Sequence, residues 1–127
     1  MPIILDTSAW IELFKKSAKG AKVKLLLDSG ECWTSVVTIA EITKWALREL
    51  LDPHEIVMLI EGTSQVIDTD SEIAFIAGHI NYERKKTVKR WGMVDSLIAA
   101  TAARHGLRIL TCDRDFLGLP YAEVLEP

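Results

Sequence analysis

Cysteine and proline are scarce in this sequence, and long apolar runs are missing. Two cysteines, Cys32 and Cys112, cannot build the disulfide framework of a small secreted domain. The run Ile3-Ile4-Leu5 is too short for a signal peptide or a membrane span, and charge soon interrupts the longer apolar stretches elsewhere. A reduced cytoplasm is therefore the expected compartment. An excess of positive charge is missing too. The formal net charge is -3, which argues against a domain that coats nucleic acid by bulk attraction but not against an enzyme touching it at one rim. The four prolines fall at ends or between elements, and no repeat or linker-like stretch interrupts the chain. What remains is 127 residues, 49% apolar and 26% charged, which suits one domain over 1–127 with its own core.

Short apolar runs alternate with helical periodicity. Strands are expected at 3–6, 32–34, 66–67, 107–110 and around Val124-Leu125. Between them, helices are expected after Thr7 or Ser8, over 20–29, over 36–51 and from Pro53. Two more are expected from a Thr69/Glu72 capping box and from Asp95 to the stop at Gly106. The 36–51 helix presents Val36, Ile39, Ala46, Leu47 and Leu50 as its apolar stripe. Alternation of this kind implies parallel strands with helical crossovers, hence an α/β sheet covered on both faces. Ligands in such folds bind beyond the carboxyl ends of the strands.

Acidic residues stand at those ends. Asp6 follows the first strand in ILDTSAW, and Asp113 and Asp115 follow the fourth in LRILTCDRDF. Each reads equally well as a helix cap or turn former. Their shared rim adds weight to function, because neighbouring carboxylates repel and call for a cation between them. Asp95 lies on the same helical stripe as Ile98, Ala99 and Ala102, so it should point inward, either as an N-cap or as a third acid. Glu41 lies opposite the expected stripe of its helix. Periodicity alone reads it as a solvated partner of Lys44. His54, His79 and His105 have no ligand spacing and read as ordinary surface or helix-end residues.

Four stretches, ILDTSAWIE, SVVTIAEI around Glu41, VDSLIAATA at Asp95 and ILTCDRDF at Asp113, occur in that order. Together they resemble the PIN domain, and most closely the VapC-type toxin ribonucleases of toxin–antitoxin pairs. The resemblance implies a three-layer α/β/α sandwich around a mainly parallel sheet of about five strands. It implies that Asp6, Glu41, Asp95 and Asp113 converge on Mg²⁺ or Mn²⁺, with Asp115 supporting the metal from further out. Ser8 and Thr111 would orient the carboxylates by hydrogen bonds. The implied reaction is hydrolysis of RNA phosphodiesters by an ion-activated water, leaving 5′-phosphate and 3′-hydroxyl ends. The implied partners are an RNA substrate, a VapB-like antitoxin and a second copy of the chain, with no membrane.

The stretch Arg84-Lys85-Lys86-Thr87-Val88-Lys89-Arg90 carries five positive charges. It reads either as a helix C-terminus complementing the dipole or as an RNA-backbone rim leading into Asp95. Trp91 reads either as a base-stacking platform or as a core residue. Trp10, Ile11, Phe14, Val37 and Trp45 crowd their helices on more than one side, which suits burial on two sides or a protein interface. Two rivals remain. An aspartate-based phosphohydrolase would want a second acid where Ser8 stands, and a PIN-like binding domain without catalysis would have little use for the full acidic set.

Overall fold

The computed structural model describes residues 2–126. In chain order the elements are β1 (Ile3–Leu5), α1 (Thr7–Lys15), α2 (Ala18–Ser29), β2 (Cys32–Ser35), α3 (Val36–Arg48) and α4 (Pro53–Thr63). After these come β3 (Gln65–Ile67), α5 (Ser71–Arg84), α6 (Met93–His105), β4 (Arg108–Thr111), a short 3₁₀ turn at Arg114–Phe116, and β5 (Ala122–Val124). The strands form one parallel sheet in the order β3-β2-β1-β4-β5. Ile4 sits at its centre, in register with Trp33 on one side and Ile109 on the other.

Side-chain alternation divides the core. Leu5 and Leu110 face α1–α4 and pack with Trp10, Val23, Ile42 and Ile60. Ile4 and Ile109 face α6 and pack with Ile98, Ala99, Trp91 and Phe116. Helix α5 stacks outside α6 through Ile73, Ala77 and Ala100. This is the expected three-layer sandwich. The strand order reverses direction between β1 and β4, so a crevice opens at their carboxyl ends. Among the described residues no helix is long and apolar enough to cross a membrane.

Several local expectations change. In α3 the buried stripe is Thr38, Ile42, Trp45 and Ala46, while Leu47 is exposed; the helix ends at Arg48 rather than near 51, and Leu50 lies past it, exposed, with φ 60°. Counting apolar residues misplaced the inward face because a threonine is buried and two leucines are not. Asp70, not Thr69, caps α5, accepting from the Ile73 N–H. Helix α6 begins at Met93 after Gly92, which places Asp95 at its third position. Trp10, Phe14 and Trp45 stack within the core, with ring centroids 5.9 and 6.4 Å apart. Trp91 is wholly buried edge-on to Phe116, so it is a core residue and not a base platform.

Candidate active site

The crevice between β1 and β4 is a cavity of about 210 Å³ lined by Asp6, Glu41, Asp95 and Asp113, with Thr7, Ser8, Ile11 and Ile98 completing the wall. Four acids scattered through the sequence thus share one cavity, and each arrives by a local rule. Asp6 ends β1 and caps α1, accepting from the Ala9 N–H. Asp113 caps the 3₁₀ turn through the Asp115 N–H. Asp95 accepts from the Gly92 N–H, closing the first turn of α6. The cap reading and the functional reading are therefore not rivals at these positions, because the cap aims the carboxylate at the rim. Glu41 borders the true inward stripe of α3, three residues after Thr38 and four before Trp45, which carries it to the cavity.

Asp6 is the most constrained of the four. It is almost wholly buried. Ser8 Oγ donates to its Oδ1 at 2.7 Å and Thr111 Oγ1 to its Oδ2 at 2.8 Å. Ser8 and Thr111 thus both hydrogen-bond to Asp6, the contacts that the family resemblance implies for them, and Ser8 also accepts from the Cys112 N–H at 2.9 Å, tying α1 to the end of β4. Burial pushes the Asp6 carboxyl up to about 7; its hydrogen bonds oppose this and the Asp113 charge adds to it. Burial likewise raises Asp95 to about 6, with the Gly92 N–H opposing and the charges of Asp113, Glu41 and Asp115 adding. These carboxylates feel one another.

Two hydroxyls that sequence reasoning did not assign also serve the site. Thr7 Oγ1 donates to Glu41 Oε1, and Thr38 Oγ1 lies 3.2 Å from Thr7 Oγ1. The signal was in the sequence, a hydroxyl directly after Asp6, but it read as a helix cap.

The donor set suits a hard divalent cation, being all oxygen and strongly acidic. Among the described residues no three His, Cys, Asp or Glu side chains are drawn close enough to hold an ion directly as they stand. The acids ring a space instead, an arrangement that fits an ion retaining several waters, as Mg²⁺ does. Asp115 lies outside the cavity wall. Its carboxylate is 3.9 Å from Arg90 Nη2, and its charge reaches Asp95.

The basic stretch divides. Arg84 turns inward, donating to the carbonyls of Asp115 at 2.6 Å and Leu117 at 3.3 Å, with its guanidinium 4.3 Å above the Trp91 ring. It fastens the end of α5 to the turn that carries Asp113. Lys85 donates to the Lys89 carbonyl, and Lys86 pairs with Glu83 at 3.2 Å. Lys89 and Arg90 extend into solvent beside the start of α6. The three histidines are exposed, as expected.

A family model described as the PIN domain matches residues 3–120. The chain is 30% identical over 118 residues to "VapC ribonuclease Mb1587" of Mycobacterium bovis, covering 90% of this chain and 88% of that protein. It is 26% identical over 124 residues to the "tRNA(fMet)-specific endonuclease VapC" of Salmonella typhimurium, covering 94% and 93%. Among solved structures, a toxin–antitoxin complex from Klebsiella pneumoniae superposes with a TM-score of 0.78 at 23% identity, covering 96% of each chain. DNA-bound VapBC from Salmonella typhimurium superposes with a TM-score of 0.73 at 25% identity, covering 98% of this chain and 97% of that one.

Proposed function

The chain belongs to the PIN-domain family, and from that premise we propose that it is a divalent-metal-dependent endoribonuclease acting as the toxin of a toxin–antitoxin pair. The observation that carries this reading is the cavity at the β1/β4 switch point, walled by Asp6, Glu41, Asp95 and Asp113. Mg²⁺ or Mn²⁺ bound by these four, with Asp115 outside them, would offset their repulsion, stabilise charge growing on the scissile phosphate and favour ionisation of the attacking water.

The chain's own residues supply the frame. Ser8, Thr111 and the Ala9 N–H fix both oxygens of Asp6. Thr7 holds Glu41 Oε1, which leaves Oε2 to accept a hydrogen bond from the attacking water. Asp95 and Asp113 are aimed by the turns they cap. Lys89 and Arg90 would receive RNA phosphates beside the start of α6, while Arg84, Lys85 and Lys86 support that rim through the contacts described above. The partners that follow are an RNA substrate, a VapB-like antitoxin and a second copy of the chain, in the cytoplasm.

Purified protein with Mg²⁺ or Mn²⁺ should cut RNA to products bearing 5′-phosphates. Chelator should stop the reaction, and a folded Asp95→Asn variant should lack it. Cleavage that persists in Asp95→Asn, or in chelator, contradicts the proposal, as does a wild-type protein that binds RNA without cutting it.

A further inference from the structure

A second basic cluster, which the sequence reading passed over, lies on the opposite flank of the acid cavity. Lys15, Lys16, Lys19, Lys22 and Lys24 fall within ten residues at the corner joining α1 to α2. This corner is rigidly placed. Ser17 caps α2 through the Gly20 N–H at 3.0 Å, and Lys16 ends α1 in a left-handed conformation with φ 58°. At Gly20 the two helices meet so closely that a Cβ would stand 2.1 Å from the Glu12 carbonyl oxygen.

The corner also lies at the same end of the sheet as the acids. Lys22 Nζ donates to the Glu126 carbonyl, just past β5, at 3.1 Å. Val23 of α2 shares a hydrophobic cluster with Cys112, the residue before Asp113, and the Lys19 charge acts on that thiol. Not all five lysines face the rim freely. Lys24 pairs with Asp28 at 2.9 Å and Lys15 with Glu12 at 3.5 Å. Lys16 and Lys19 form no salt bridge among the described residues.

We propose that the α1–α2 corner, through Lys16, Lys19 and Lys22, is a phosphate-binding surface for the RNA strand on the side of the cavity away from Lys89 and Arg90. The inference rests on the ribonuclease reading and adds to it. α1 and α6 stand on opposite faces of the sheet, and both line the cavity. A strand lying across the acids therefore meets positive charge on each side. That arrangement offsets the repulsion between a cluster of carboxylates and a polyanion.

The test uses a fluorescein-labelled single-stranded oligouridine, read by anisotropy in Mn²⁺ over a salt series. Glu41→Gln, which removes the acceptor for the attacking water and leaves the three aspartates to the ion, serves as the cleavage-silent background. Lys16→Gln/Lys19→Gln should weaken binding and reduce the slope of log affinity against log salt by about 0.7 for each lysine that contacts a phosphate. Lys24→Gln, on the same helix but paired with Asp28, should match the parent. A thermal melt and a Mn²⁺ titration of the wild-type background check that fold and metal site are intact, and Lys22→Gln offers a second variant away from the left-handed position. Unchanged affinity and slope in both variants overturn the inference and leave the corner to an acidic protein partner. A parent that binds no RNA at all overturns the ribonuclease reading, and this inference falls with it.

Discussion

The Thr7 hydroxyl, in the first turn of α1, donates to Glu41 Oε1 in the second turn of α3. That bond crosses between two helices and commits a glutamate that would otherwise sample solvent. A hydroxyl carries one proton, and Thr7 is also placed to donate to the wholly buried Thr38 Oγ1 at 3.2 Å, so Glu41 and Thr38 compete for that proton and the carboxylate is the stronger acceptor. Thr7→Val should therefore lower Mn²⁺ affinity by about tenfold or more, and Thr7→Ser should restore it. In a Glu41→Gln background the Thr7→Val penalty should vanish. Calorimetric titration of the four proteins checks this, and an equal penalty in both backgrounds would show that Thr7 acts elsewhere.

The buried acids make stability depend on pH in a direction opposite to that of salt-bridged carboxylates. Asp6 is held at about 7 when folded, against 3.8 for an unperturbed Asp. The folded protein thus retains a proton that the unfolded chain releases between those values. The penalty is absent below about pH 4, grows as pH rises and is complete above about 7. Metal-free protein should lose stability over that window, and Asp6→Asn should flatten the loss. Denaturant midpoints from pH 4 to 8 measure it.

Metal binding should show the converse trend. Protons compete with a cation for Asp95, held at about 6, and for Asp6. Apparent Mn²⁺ affinity should climb between about pH 5 and 7 and level off above, since only the ionised carboxylates bind. A flat profile over that range would separate the ion from these two acids.

Arg84 joins three segments, and its loss should be felt in folding. Arg84→Gln removes charged hydrogen bonds to the Asp115 and Leu117 carbonyls and the contact over Trp91. A cost of about 1.5–3 kcal/mol is expected. Lys86→Gln, which breaks the exposed pair with Glu83 and the exposed contact over the Tyr82 ring, should cost less, about 1 kcal/mol or under. Urea denaturation of the two variants gives the comparison.

These features differ in how plainly the sequence announced them. Asp6 and Asp113 were legible because a buried strand that stops at an acid needs only the parallel-sheet rule to place that acid on the rim. The sheet itself was legible from short apolar runs alternating with helical spacing. Glu41 was not legible from periodicity, because α3 buries Thr38, exposes Leu47 and stops before Leu50, so the stripe of apolar letters pointed about the wrong axis. The family motif carried Glu41 where the periodicity failed. Arg84 looked like one cation in a run of five. Only the path of the chain from Asp115 to Leu117 brings carbonyls to it. The lysines of the α1–α2 corner went unnoticed for a similar reason, since their place at the cavity end of the sheet depends on how α2 folds back over α1 at Gly20.

If Asp6, Glu41, Asp95 and Asp113 share a cation, anomalous diffraction from a crystal soaked in Mn²⁺ should show a manganese peak inside the cavity between β1 and β4. The peak should lie within direct or water-bridged reach of all four carboxylates and be lost in Asp95→Asn. Ordered manganese only at other sites, or an empty cavity at saturating Mn²⁺ above pH 7, would mean that the four acids do not form a metal centre.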